Sequence, residues 1–111
     1  MIQTNATIYS IGAIADGNVD GLTPGQITVA SSRNNKRSGI RIKNHDTSLY
    51  LYVYFCPRGR DQPTITSTTQ HIHAIGPRDA IDAYVGDGVD VWLLNSSGAG
   101  TTSYYSYQEL F

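Results

Sequence analysis

Residues 37–56, RSGIRIKNHDTSLYLYVYFC, decide the fold. Ile40 and Ile42 alternate with Arg41 and Lys43, and further on Leu49, Leu51, Val53 and Phe55 alternate with Tyr50, Tyr52 and Tyr54. A period of two sends successive side chains to opposite faces of a sheet, so both halves read as β-strands. Between them Asn44, His45, Asp46, Thr47 and Ser48 supply short polar side chains that bond back to their own backbone and favour a turn. The expectation is a β-hairpin with one aliphatic face; its other face is basic on the first strand and tyrosyl on the second. The second strand is apolar or aromatic at every position from Leu49 to Phe55. Both its faces need cover, and an isolated hairpin is marginal in water, so the element belongs in the middle of a larger sheet.

The same short-strand pattern repeats on either side. Upstream, residues 26–31 read as a strand with Ile27 and Val29 on one face, and the polar turn SRNNK (32–36) feeds the central element. Downstream, PRGRDQP (57–63) is a loop, because two prolines cannot sit inside a central strand. Strands are expected at 64–68, 70–75, 80–85, 89–94 and 101–111, separated by the turns GPRD (76–79), GDG (86–88) and NSSGAG (95–100). Gly86-Asp87-Gly88 carries the strongest hairpin signal, since tight two-strand connections require positive φ. Residues 4–15 keep neither the helical nor the strand period, and residues 16–25, with DGNVDG followed by TPG, read as a turn-rich connection. Residues 1–25 are therefore expected to form an N-terminal arm or irregular edge segment, and residues 26–111 the folded body. Seven to eight short strands, no helical period and no crossover long enough for parallel pairing predict an all-β chain: a single-domain antiparallel β-sandwich of jelly-roll or Greek-key type.

A length of 111 residues is enough for one core and too little for two. Charged residues make up 15% of the chain, against about 25% in ordinary soluble domains, which gives a neutral, polar surface suited to contact with protein. The formal net charge of −1 offers no overall electrostatic case for nucleic acid or an anionic membrane. With a single cysteine, Cys56, the fold is not built on an internal disulfide, and no flanking motif activates the thiol. The amino-terminal residues lack the basic start and unbroken apolar run of a signal peptide or membrane span, so the sequons at Asn5 and Asn95 are expected to be accidental.

Candidate chemistry is sparse. Asp16, Asn18, Asp20 and Gly21 match the first half of a calcium loop, but the closing glutamate position holds Ile27, so an ordinary Asp/Gly turn is expected. His71 and His73 share a strand face, yet tetrahedral zinc needs more ligands and the remaining histidine, His45, lies in a distant turn. Asp79, Asp82, Asp87 and Asp90 would serve glycoside hydrolysis only if two faced each other across a cleft; three of them sit at turns. There is no nucleophile elbow, phosphate-cradling glycine loop, paired-cysteine motif or His-Glu-x-x-His helix. No cofactor, metal or catalytic residue is expected, and the chain reads as a non-enzyme.

Charge distribution says more. Residues 33–43 hold five of the eight basic residues and no acid, whereas residues 79–90 hold four acids and no base. On opposite sides of a sandwich these segments would let copies dock head to tail. The eight tyrosines add large amphipathic side chains of the kind enriched where proteins meet. Candidate interface residues are Arg33, Lys36, Arg37, Arg41 and Lys43, with Tyr50, Tyr52 and Tyr54 either beside them on the surface or forming a second core face.

Taken in order, SSRNNKR, SGIRIKN, LYLYVYF, GPRDAIDAYV, GVDVWLLNSSGAG and YYSYQEL resemble the small β-sandwich structural proteins of tailed bacteriophages. In that group an Arg-containing turn precedes an I-x-I-x-N strand, and a V-x-V-W strand with a Ser/Gly/Ala turn precedes the terminal strand. The resemblance covers residues 27–111. It implies a virion component, a capsid decoration or cement protein made in the host cytoplasm and seated on the capsid surface, where it would tie subunits together. The implied partners are the major capsid protein or another virion protein and further copies of the chain, a trimer being favoured, with no nucleic acid and no membrane. Head-fibre, tail and adaptor proteins share the pattern. A rival reading is a carbohydrate-binding module for host attachment, with Trp92 and exposed tyrosines as stacking platforms.

Overall fold

The alternating stretches form strands in a computed structural model that describes residues 11–27, 37–59, 73–86 and 88–111. Among these residues the strands are β1 (Ala15–Val19), β2 (Gly25–Gln26), β3 (Gly39–Asn44), β4 (Leu51–Pro57), β5 (His73–Ile75), β6 (Ala80–Ala83), β7 (Val89–Asn95) and β8 (Ser103–Leu110). They make two four-stranded antiparallel sheets, ordered β1-β8-β3-β6 and β2-β7-β4-β5. β1 pairs with β8, β2 with β7, β3 with β6 and β4 with β5, as in one long hairpin doubled on itself. Rolling that hairpin lets β8 pair again with β3 and β7 again with β4. The result is a jelly roll, the double-sheet solution to unprotected strand edges.

This order corrects the central expectation. β3 and β4 do not pair; they lie in different sheets, and the polar stretch between them crosses the sandwich. The same holds for β6 and β7, so Gly86 and Gly88 flank a crossover and not a hairpin turn. Turn residues report only that the chain reverses, and an alternating strand is satisfied equally by a neighbour in its own sheet or by one facing it about 10 Å away. Strand β1 is the second correction: residues 16–19, read as the start of a turn-rich connection, continue from Ala15 as the edge strand beside β8, in register Ala15↔Tyr107 to Val19↔Ser103. Glycine inside this strand has a packing reason. A Cβ on Gly17 would lie 2.4 Å from the Tyr105 ring, so β1 can close over that ring only if position 17 has no side chain. Residues 28–31 of the strand expected at 26–31, the strand expected at 64–68, and residues 70–72 of the strand expected at 70–75, His71 among them, lie outside the described residues, as does Asp87.

The space between the sheets is filled by Val19, Ile27, Ile40, Ile42, Leu51, Val53, Ile75, Val91, Leu93 and Tyr105. At one end of the roll this apolar interior gives way to amides. Asn44 and Asn95 continue the inward period of Ile40-Ile42 and Val91-Leu93, and both are fully buried. The Asn44 Nδ2 group donates to the carbonyls of Leu49, Ile75 and Gly76 at 2.9, 3.1 and 3.2 Å, and its Oδ1 accepts the Asp46 amide at 2.9 Å. The Asn95 Nδ2 donates to the Val19 and Thr101 carbonyls and to Ser103 Oγ, while its Oδ1 accepts the Ser97 amide. Each asparagine thus answers backbone groups that no ladder can reach where the chain leaves one sheet for the other.

Two outcomes follow. Asn44→Ala and Asn95→Ala each strand several buried carbonyls, and denaturant unfolding is expected to show a loss of about 3 kcal/mol for each, the upper range for unmet buried polar groups. Gly17→Ala is expected to cost about 1–3 kcal/mol by overpacking against Tyr105, read in the same unfolding curves.

Candidate interaction surfaces

The basic and acidic segments lie side by side, because β3 and β6 are neighbours in one sheet with Arg41 opposite Asp82. The Arg41 guanidinium grips that carboxylate with two bonds, Nε–Oδ1 at 2.7 Å and Nη2–Oδ2 at 3.0 Å. Each side chain shifts the other's titration toward its charged form, Arg41 upward and Asp82 downward. Arg37 is no surface group at all: it is buried, donates through Nη2 to the carbonyls of Gly86 and Val89, and lies 3.8 Å from Glu109. Among the described residues, Arg37, Arg41 and Asp82 are therefore engaged inside one molecule instead of attracting a second copy head to tail. Lys43 remains exposed on the outer face of the sheet, and Arg33 and Lys36 lie outside the described residues.

Nor do the tyrosines join these bases. With β4 in the other sheet, Tyr52 and Tyr54 project from the opposite side of the sandwich to Arg41 and Lys43. Tyr54 (5% exposed), Trp92 (7%) and Leu94 form a second small core on the outside of β4 and β7, with Tyr52 and Cys56 packed against it. Trp92 is thus a packing residue and not a stacking platform. Burial, followed by the nearby Asp90 charge, pushes the Cys56 thiol above its ordinary value, away from the thiolate that reactivity needs. Of the three candidate tyrosines Tyr50, Tyr52 and Tyr54, Tyr50 alone, 49% exposed just before β4, stands on the surface as expected of a contact tyrosine.

Tyr50 belongs to the end of the roll organised by the two asparagines. Its carbonyl accepts the Ser96 amide and its own amide donates to Ser96 Oγ, tying the β3–β4 and β7–β8 loops together. The β1–β2 loop joins them through Gly21 N to Ala99 O and Asn95 N to Asp20 O, and the β5–β6 loop through Arg78 N to Asp46 O. Asp46 sits at the junction, with Oδ1 accepting the Ser48 and Leu49 amides and Oδ2 accepting Ser103 Oγ at 2.8 Å. These donors, the two amides foremost, hold its carboxyl down at about 2. Asp20 Oδ1 likewise caps the Leu22 and Thr23 amides, leaving Leu22 65% exposed at the rim. The result is an end of Ser, Thr and Gly loops, hydrogen-bonded to one another, that presents Leu22 and Tyr50.

A second accessible surface is the outer face of the β1-β8-β3-β6 sheet. Asp16 and Asn18 on β1, Tyr104, Ser106 and Gln108 on β8, and Arg41 and Lys43 on β3 all project there. Tyr104 is 64% exposed and Ile14, just before β1, 71%. A shallow groove of about 170 Å³ crosses this face between Ile14 and Ala80, floored by Ser106 and Gln108 and flanked by Arg41 and Lys43.

Among the described residues, the members of the metal and acid constellations lie apart. In the extended β1, Asp16 and Asn18 point outward along a pleat while Asp20 is occupied by its turn, so the three do not wrap one point. His45 is bonded to Ser106 Oγ at 2.8 Å, and His73 is set edge-on to Phe55 in the other sheet. Asp82 is gripped by Arg41, while Asp90 accepts the Gly59 amide at 3.0 Å from β7 in the other sheet. No group of three or more His, Cys, Asp or Glu side chains that could hold a metal ion occurs among the described residues.

Sequence reasoning missed Asn44 and Asn95, taking both for turn residues, although the signal was present: each closes an apolar strand on its inward parity. Because the Asp46 carboxyl titrates near 2 when folded and near 3.8 otherwise, its contribution to stability is complete above pH 4 and fades as pH falls through 2. The melting temperature of Asp46→Asn is therefore expected to lie below wild type at pH 6, with the gap closing as the pH approaches 2. Comparison of the chain with protein-family models, with curated proteins and with solved structures finds no match.

Proposed function

We propose that the protein is a non-enzymatic virion structural component, a decoration or cement-type protein that binds a larger protein shell and associates with itself. The reading joins the sequence resemblance to one structural observation, the hydrogen-bonded loop end that presents Leu22 and Tyr50. Jelly rolls recur in viral capsid and lectin domains but host many activities, so the surface and not the architecture carries the weight. A surface of Tyr with Ser, Thr and Gly suits protein recognition: the aromatic ring adds contact area with few rotors to freeze, and the small polar residues supply adaptable hydrogen bonds. Here Asn44, Asn95 and Asp46 fix the loops beforehand, so little ordering entropy is lost on docking. The partner in this reading is a capsid or other virion protein, and no cofactor takes part.

The test is co-sedimentation of the purified chain with shells lacking it. Saturable binding, weakened at least about tenfold by Tyr50→Asp together with Leu22→Asp, is the expected result. Absence of binding to capsid, fibre or tail assemblies, or a selective hit on a glycan array, would overturn the reading in favour of another ligand.

A further inference from the structure

We infer that the outer face of the β1-β8-β3-β6 sheet is a homodimer interface whose two-fold axis runs along β8, with Asp16 of each copy facing Lys43 of the other. The proposal gives the self-association in the preceding reading a surface and rests on that part of it; attachment to a shell is tested separately. The argument begins with register. Asp16 pairs with Ser106 and Ser106 pairs with Lys43, so these three outward side chains stand in one row across β1, β8 and β3. The next row is Asn18, Tyr104 and His45, the His45 amide donating to the Tyr104 carbonyl.

A two-fold interface is isologous, so the patch must complement itself. Turn a second copy over by half a rotation about β8, and its β1 comes to lie above β3 of the first, each roughly 5 Å to the side of the axis. Each row then meets its own reversed image. Asp16 faces Lys43 on both sides, Asn18 faces His45, and Ser106 and Tyr104 fall on the axis. Tyr104, bare to solvent in one copy, packs against its symmetry mate. Ile14, at the level of Gln108 and Arg41, comes to lie over the aliphatic stem of the partner's Arg41.

Such a match is a property of this face. Within the chain Arg41 is already paired with Asp82, leaving Asp16 and Lys43 as opposite charges placed symmetrically about β8. The other sheet's outer face offers no equivalent, since Tyr54, Trp92 and Leu94 there are already buried. The overlapping strands β1, β8 and β3, with β6 overhanging, have a footprint on the order of 300 Å² per copy. Both copies together then bury about 600 Å², the size of a weak, transient contact, so dissociation no tighter than the micromolar range is expected. The symmetry is two-fold, at variance with the trimer implied by the resemblance.

Sedimentation of the full chain over a concentration series tests the inference. Wild type is expected to approach twice its 12.1 kDa mass in the micromolar range. Asp16→Lys or Lys43→Asp alone places two like-charge contacts in the interface and should weaken the dimer by at least about tenfold, while the double exchange restores it. Tyr104→Lys, which sets two cations on the axis, should abolish it. All these side chains are exposed, and unchanged melting curves separate lost association from lost folding. A monomer throughout, a trimer, or a dimer indifferent to the exchanges would overturn the inference. A charge-dependent dimer that fails to bind shells would leave it standing and overturn only the attachment.

Discussion

Carrying a chain from one sheet to another takes backbone amides and carbonyls out of both ladders, next to an apolar interior where unpaired polar groups cost several kcal/mol. That constraint governs this molecule, because almost every connection makes the crossing. Asn44 and Asn95 answer it with side chains that imitate the missing strand neighbour, each giving its amide hydrogens to carbonyls of several loops and taking an amide back. Asp46 and Ser103 join the two clusters. Without this network the crossovers would have to unravel toward water, and the facing of Ile40 and Ile42 on Leu51 and Val53 would go with them.

The other end of the roll solves the same problem with charge. Arg37 lies buried between the β6–β7 connection and β8, holding the Gly86 and Val89 carbonyls with Glu109 nearby. A buried ion pair is poor evidence of net stability, since desolvation offsets much of the attraction, but removing one partner leaves a charge with no water and is strongly destabilising. Its effect is to exclude alternatives: a register that moved Arg37 would leave the guanidinium without acceptors. An aliphatic middle closed by amides at one end and by a guanidinium at the other explains how short strands hold a single arrangement.

The two outer faces have different fates for a reason visible in their residues. On β4 and β7 the outward positions are Tyr54, Trp92 and Leu94, too apolar to leave wet, and they form a second core. On β1, β8 and β3 they are Asp16, Asn18, Tyr104, Ser106, Arg41 and Lys43, which tolerate water and keep that face accessible. In the proposed reading, recognition falls to the accessible face and to the hydrogen-bonded loop end.

From composition and alternation alone the all-β character, the aliphatic interior and the polar turns were legible, because the period of two depends only on local backbone geometry. The inward parity of Ile40 and Ile42 was equally plain, and one further step of the same period turns Asn44 inward. What the chain order could not disclose was which strand lies beside which. A polar turn after β3 suits a hairpin or a crossover equally, and only the joint packing of both sheets chose the crossover. That choice put Arg41 beside Asp82 instead of Tyr52, buried Arg37 and Trp92, and aligned Asp16, Ser106 and Lys43 in a row. Surfaces are made of residues distant in sequence, so their composition is decided by long-range pairing, which no local pattern encodes.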